Sequence, residues 1–276
     1  MAKASTIEPV PGEPLIRFED VSIGFDEGEV LRGISFTVEQ RETKVIVGES
    51  GSGKTVLLKL AAGLLRADSG RIVVMGHDLT GMREVDLLDF RRSIGFVFQE
   101  GALFDSISVS DNVAFRLSQE GVPPEETEPR VREALRFVEL EDAYEKFPPE
   151  LSGGMRRRVS IARALISQPP IVYYDSPTGG LDPVTSQTII TLILRLRDSF
   201  GATSLMATHR MQDAFGLSNF EFDSSTGRVI PIWEDPERVR HSATNFLVLR
   251  EGKIYFEGEP SELLKSQDPY LRQFLS

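Results

Sequence analysis

The stretch TKVIVGESGSGKT (43–55) constrains the fold more than any other. An apolar run, TKVIVG (43–48), enters the loop GESGSGKT (48–55), and the helical pattern VLLKLAAGLL follows. The loop fits G-x-x-x-x-G-K-[ST] in the strand–loop–helix context that this motif requires. Gly48, Gly51 and Gly53 let the backbone curl so that successive N–H groups point inward. Between them stand Glu49, Ser50 and Ser52. The helix that follows adds the positive end of its dipole, and the result is a cradle for phosphate. Lys54 can reach terminal phosphates, and the Thr55 hydroxyl can ligate Mg²⁺. A Gly-rich turn that merely matches the pattern is the competing reading; the flanking strand and helix argue against it.

The remaining pattern sets the fold class. LIRFEDVSIGF (15–25), LRGISFTV (31–38) and RIVVMG (71–76) read as strands, and SIGFVFQ (93–99) as another buried one. Helical patterns dominate 109–167, broken by GVPPEE and FPPELSGG, where proline starts or stops helices. Strand–helix alternation then returns with IVYYD (171–175), a helix over 184–199 and TSLMATH (203–209). The expectation is an α/β P-loop NTPase. Its core sheet is mostly parallel, with a helical subdomain inserted near 100–165. Residues 1–14 read as a loose arm, 15–260 as one nucleotide-binding domain, and 261–276 as a helical tail.

Composition excludes some functions. The 276 residues carry a net charge of −11, so duplex nucleic acid is not an expected partner, although MRRRV (155–159) forms a local basic patch. There is no cysteine, which excludes disulfides and thiolate metal sites. No secretory leader is expected in MAKASTIEPVPGEP, and no apolar run approaches the roughly 20 residues of a membrane span. Work at a membrane would need other chains to cross it.

Asp175 ends the apolar run IVYYD, at the carboxyl edge where open α/β sheets bind ligands. A carboxylate there can complete a metal shell begun by Thr55; the alternative is a strand-end Asp capping the next turn. Between the two motifs lies LSGGM (151–155), opening a helix. Gln99 ends IGFVFQ, GGLDP spans 179–183, His209 follows a strand in ATH, and Phe25 precedes the first long loop. Six motifs in this order, over roughly residues 15–260, resemble the ATP-binding-cassette (ABC) family.

The resemblance adds an antiparallel N-terminal β-subdomain to the expected fold and implies roles residue by residue. ATP and Mg²⁺ are the expected cofactors, with Phe25 stacking on adenine and Gln99, Thr55 and Asp175 around the metal. His209 would position the γ-phosphate and the attacking water. Ser152, Gly153 and Gly154 begin a helix and form an anion site. In the family this tip closes on the γ-phosphate held by a second copy, so two ATP molecules lie in an isologous interface. An integral membrane permease is the implied second partner, which places the chain in the cytoplasm, peripheral on the inner face of the plasma membrane. FQEGALFDSISVSDNVAFRL (98–117) further resembles the cassettes of Mla/Mce-type lipid transporters. There Gly101, Leu103 and Phe104 would offer an apolar surface to the permease, or else pack the helical subdomain. A Mce-type lipid-binding protein would then act through the permease.

One departure concerns catalysis. Most cassettes place Glu after the Walker B Asp, as general base; this chain has Ser176. A serine hydroxyl has no useful basicity near neutral pH. Three readings stay open. Hydrolysis persists slowly, through His209, Mg²⁺ and the phosphate oxygens; the chain is an ATP-operated clamp that reopens by exchange; or a different cassette supplies the acid. The first is favoured, because phosphoryl transfer relies mainly on positioning.

One segment has no place in the family pattern. About 27 residues separate MQDAFGL (211–217) from the strand-like NFLVLREGKIYFEG (245–258). Within this insertion, about 219–244, FEFDSSTGRVIPIW (220–233) alternates around a Ser-Ser-Thr-Gly turn and predicts a β-hairpin stapled by Trp233. A docking or regulatory surface is the alternative. A soluble cassette acting on DNA or ribosomes is the competing class; it would bring a long coiled coil or two cassettes in one chain, and neither is present.

Overall fold

The computed structural model describes residues 12–234 and 244–275. Residues 1–11 of the predicted arm, 235–243 of the predicted insertion and Ser276 lie outside them. The chain opens with β1 (Ile16–Phe25), β2 (Gly28–Val38), β3 (Thr43–Gly48), α1 (Lys54–Ala61), β4 (Ser69–Val74), β5 (His77–Asp78), α2 (Glu84–Arg91) and β6 (Ile94–Val97). Three helices follow, α3 (Val109–Gln119), α4 (Pro124–Phe137) and α5 (Gly153–Leu165). Next come β7 (Ile171–Asp175), α6 (Pro183–Phe200), β8 (Thr203–Thr208), α7 (Met211–Asn219), β9 (Phe220–Asp223) and β10 (Arg228–Pro231). The chain closes with β11 (Thr244–Arg250), β12 (Lys253–Gly258), α8 (Pro260–Lys265) and α9 (Pro269–Leu275).

Two sheets carry the architecture. The larger has the order β12-β11-β3-β8-β7-β6, parallel except for β12. The smaller, β2-β1-β4-β5, is antiparallel. Residues of β3, β7 and β8 are buried throughout, as strands covered on both faces must be. Their alternation divides the core. Val45, Val47, Tyr174, Met206 and Phe246 meet α3–α7 on one face. Ile46, Tyr173, Leu205, Ala207 and Leu247 meet α1 and the antiparallel sheet on the other. The Tyr173 hydroxyl donates to Ala61 O at 3.0 Å, tying β7 to α1.

Several expectations change in detail. The strand predicted over 93–99 stops at Val97, which leaves Gln99 in the turn beyond it. The segment 245–258 is not one strand but two, because Glu251 and Gly252 adopt positive φ and reverse the chain. Helices α2 and α7 have no counterpart in the sequence reading; both are short and neither carries a side-chain N-cap. Within the predicted tail, Pro260–Lys265 and Pro269–Leu275 fold as two short helices, which bury Leu263 and Leu271 in the main core.

The alternation at 220–233 folds as a hairpin, with Phe220 paired to Pro231. Its fastening differs from the one expected. Trp233 is 59% exposed and touches Phe220 edge-on at 5.2 Å. The staple is Arg197 of α6. Its guanidinium is buried, donates to Leu217 O at 2.6 Å and Phe220 O at 2.9 Å, and pairs with Asp198. The Asp198 carboxylate in turn accepts from Phe222 N at 2.7 Å.

Candidate functional site

The parallel sheet brings three strand ends side by side: β3 ending in Gly48, β8 in Thr208 and β7 in Asp175. Loop 48–53 leaves β3 and enters α1 through Gly53, whose φ of 98° suits glycine. No side chain caps α1, so its first-turn amides face the loop. Contact with β2 fixes the entry: a Cβ on Gly53 would stand 2.6 Å from Leu31 Cδ2. Leu31 and its neighbour Val30 of β2 abut Gly53, and Phe25 pairs with Gly28 two residues before Val30. The Phe25 ring is 49% exposed.

Lys54 is buried. Its ammonium folds back onto the loop, donating to Gly48 O at 2.9 Å and Glu49 O at 2.7 Å, with Ser52 Oγ at 3.4 Å. Burial pulls its pKa below the ordinary lysine value, and the Asp175 charge opposes that pull. Glu49, Ser50 and Gly51 are exposed at the mouth of the loop.

Thr55 Oγ1 donates to Asp175 Oδ1 at 2.9 Å. The carboxyl is buried, and desolvation raises its pKa; the Thr55 bond and the charges of Lys59, Lys54 and Arg157 counter the shift. A buried carboxylate held against a hydroxyl favours a cation. Among the described residues no cluster of three or more His, Cys, Asp or Glu could hold a metal by itself. A hydroxyl and a single carboxylate suit Mg²⁺, which keeps waters and takes phosphate oxygens as its other ligands. The residues therefore fit the expected metal.

Gln99 is exposed in the turn after β6, its Cγ 3.6 Å from where a Cβ on Gly179 would stand. His209 is exposed just after β8. Ser176 is buried with a positive φ of 46°, its N–H donating to Ala207 O of β8 at 2.8 Å. Ser152, Gly153 and Gly154 form the tip of α5, against Leu181 and Thr185. The Ser152 hydroxyl caps α5 by accepting from Met155 N at 3.2 Å.

Sequence reasoning missed a layer beneath these residues. Asp213, buried on α7, accepts from the hydroxyls of Thr178 and Thr208 and pairs with Arg210 at 3.8 Å. MRRRV is not a solvent-facing basic patch. Arg157 is buried, and Arg156 and Arg158 donate to Leu151 O at 2.6 Å and Val138 O at 3.0 Å. Helical phase held the signal: Arg157 falls on the same face of α5 as Gly154 and Ile161.

On the 98–117 stretch, Gly101 is buried and Leu103 packs on the core, so both serve the interior. Phe104 is exposed and lies 4.7 Å from the half-open ring of Phe115.

A family model described as "ABC transporter" matches residues 31–179, more than half of the chain. A methionine import ATP-binding protein of Rhizobium johnstonii is 38% identical over 218 residues, covering 79% of this chain and 60% of its own length. One from Staphylococcus aureus strain MRSA252 is 34% identical over 268 residues, covering 94% of this chain and 78% of its own. The chain thus spans about three fifths of the Rhizobium relative. A solved dimer of the ATP-binding cassette MJ0796 bound to ADP and Pi superposes with a TM-score of 0.73 at 26% identity, covering 88% of this chain and 98% of that one. The cbiO1 protein of Clostridium perfringens gives 0.74 at 27% identity, with 95% of each chain covered. The relatives named here are methionine importers, so the lipid-transport expectation finds no support in them. In sequence and fold, this chain belongs to the ABC transporter family of ATP-binding cassettes.

Proposed function

We propose that this chain is the ATP-hydrolysing subunit of a membrane transporter, and that ATP closes two copies head to tail to drive a permease. One observation carries the reading. The phosphate loop and Asp175 converge through the Thr55 bond at the sheet edge, while the Ser152–Gly154 tip is carried on a different element, α5, packed on Leu181 and Thr185. Half a site on each of two surfaces is completed by a second copy. Among the described residues no helix is long and apolar enough to cross a membrane.

Each residue then has a task. Lys54 exchanges the carbonyls of Gly48 and Glu49 for phosphate oxygens. Thr55, Asp175 and Gln99 would hold Mg²⁺, which supplies charge neutralisation on the triphosphate. Phe25 stacks on the adenine, and His209 orients water toward the γ-phosphate. Ser176 offers a hydrogen bond without a base, so hydrolysis is slow and rests on positioning. A clamp that opens by nucleotide exchange is the second reading, and Ser176 is what favours it.

The cargo belongs to the permease. Methionine import is the reading that the relatives' names support. Lipid transport, with a Mce-type partner, rests on the 98–117 resemblance and the exposed Phe104–Phe115 pair at the expected permease contact.

The test is Lys54→Ala. It should weaken ATP binding by at least tenfold and abolish ATP-dependent dimerisation in gel filtration. Unchanged affinity and dimerisation would overturn the reading. Stimulation of the reconstituted complex by methionine or by phospholipid separates the two cargoes.

A further inference from the structure

Arg157 lies one helical turn inside α5, behind the Ser152–Gly154 tip, and its guanidinium is buried. It donates to Ser176 O at 3.0 Å and to Gly179 O at 3.4 Å. The same tip is locked laterally. A Cβ on Gly154 would stand 2.3 Å from Thr185 Cγ2, and one on Gly153 would stand 3.5 Å from Leu181 Cδ2. The tip of α5 and the 176–185 segment therefore form one packed body. Its far end reaches the metal site: Ser176 follows Asp175 directly, and Asp175 accepts from Thr55. The charges of Asp175 and Glu100 both act on the guanidinium and favour its cationic form, against the burial that lowers its pKa.

This arrangement gives one protomer a path between two nucleotides. The tip would face the γ-phosphate held by the partner copy. The Ser176 turn borders the protomer's own Asp175 and Thr55. We propose that Arg157 is a positioning residue that couples the two nucleotide sites of the dimer: engagement of the α5 tip by one ATP is transmitted through its two carbonyl contacts to the Asp175–Ser176 turn of the other. The inference rests on the head-to-tail pairing proposed above. A buried cation with two backbone acceptors suits the task, because moving α5 without the turn would strip it of both partners in a dry site.

The test is a titration of the full chain with the fluorescent analogue methylanthraniloyl-ATP in Mg²⁺, at protein concentrations where the ATP-bound dimer forms. This readout does not depend on hydrolysis. The wild type should bind with a Hill coefficient above 1, reflecting about fivefold or greater coupling between sites. Arg157→Met should lower the coefficient to about 1 while the affinity of an isolated site stays within about twofold. A folded Arg157→Met with wild-type cooperativity overturns the proposal, as does a wild-type dimer with independent sites. Arg157→Gln, which keeps amide donors but cannot span both carbonyls, must show the same loss if Arg157→Met does not fold; wild-type cooperativity in it is equally fatal. Gel filtration of the same samples separates the two levels. A wild type that never dimerises on ATP sinks the functional reading itself, whereas a dimer with uncoupled sites sinks only the role of Arg157.

Discussion

The Thr55 hydroxyl and the Asp175 carboxylate meet at 2.9 Å across 120 residues of sequence, joining the first turn of α1 to the end of β7. The bond sets two oxygens side by side, which on the proposed reading would serve one cation. Asp175→Asn preserves shape and removes charge. It should leave Mg²⁺-free nucleotide binding within about threefold and abolish the gain in affinity that Mg²⁺ gives. Steady-state ATPase should fall by about 10²-fold or more. The pH dependence has a definite sign. Burial raises the Asp175 pKa, so its acid form persists above the ordinary 3.8. If Mg²⁺ uses the carboxylate as proposed, the Mg²⁺-dependent gain should weaken as pH falls through that raised value. Isothermal titration with and without Mg²⁺ at several pH values checks both statements; an unchanged Mg²⁺ gain in Asp175→Asn removes Asp175 from the metal shell.

Gly154 and Thr185 touch so closely that no side chain fits between them. An added Cβ would stand 2.3 Å from Thr185 Cγ2, and the Thr185 rotamer is held by the bond of its hydroxyl to Asp182. Gly154→Ala should cost about 1–3 kcal/mol in denaturant unfolding, as overpacking does. Thr185→Ser deletes the clashing methyl and keeps the hydroxyl, so the double variant should recover most of that loss. Additive losses in the double-mutant cycle would show that the clash is not what Gly154 avoids.

Ser176 sits where an acid would be expected, in a left-handed backbone conformation anchored to β8 through Ala207 O. Ser176→Glu supplies the missing base at that position. ATP turnover should rise by about 10²-fold, at the lower end of what a general base contributes, with ATP affinity little changed. If the variant folds and turns over at the wild-type rate, proton abstraction does not limit hydrolysis and the clamp reading gains.

Legibility in the sequence followed the range of the interactions involved. The phosphate loop and the Asp175 strand end could be read because each is a local pattern, a buried strand running into a turn. β3 and β7 therefore kept their predicted bounds, Thr43–Gly48 and Ile171–Asp175. Helix α2 escaped because it is only eight residues long and, of its four apolar residues, only Leu87 and Phe90 are buried. Arg157, Arg197 and Asp213 escaped for another reason: each is a charged residue buried against partners distant in sequence, so composition alone reads it as solvated surface. The partners of Arg197 lie as far as 47 residues away, on chain that no local pattern links to α6. The staple of the hairpin was misassigned to Trp233 by the same bias, since a large aromatic advertises burial more than an arginine does.

Asp223 and Trp233 give the hairpin its own titration. The Asp223 carboxylate accepts from Ser225 N at 2.9 Å, Ser225 Oγ at 2.6 Å and Thr226 Oγ1 at 3.0 Å, closing the Ser-Ser-Thr-Gly turn. These bonds favour the charged form and pull its pKa down to about 2 from the ordinary 3.8. A depressed carboxylate stabilises the fold above the unfolded value, and that contribution is lost as pH falls toward the folded one. The turn should therefore hold through pH 4 and loosen only between about 3.8 and 2. Trp233 is the only tryptophan and contacts Phe220 at the foot of the hairpin, so its emission reports this region alone. Wild-type emission should change across that window while far-ultraviolet circular dichroism stays constant. Asp223→Asn cannot titrate and should show no such step. A step of equal size in Asp223→Asn would assign the change to another group and separate the turn from the Trp233 contact.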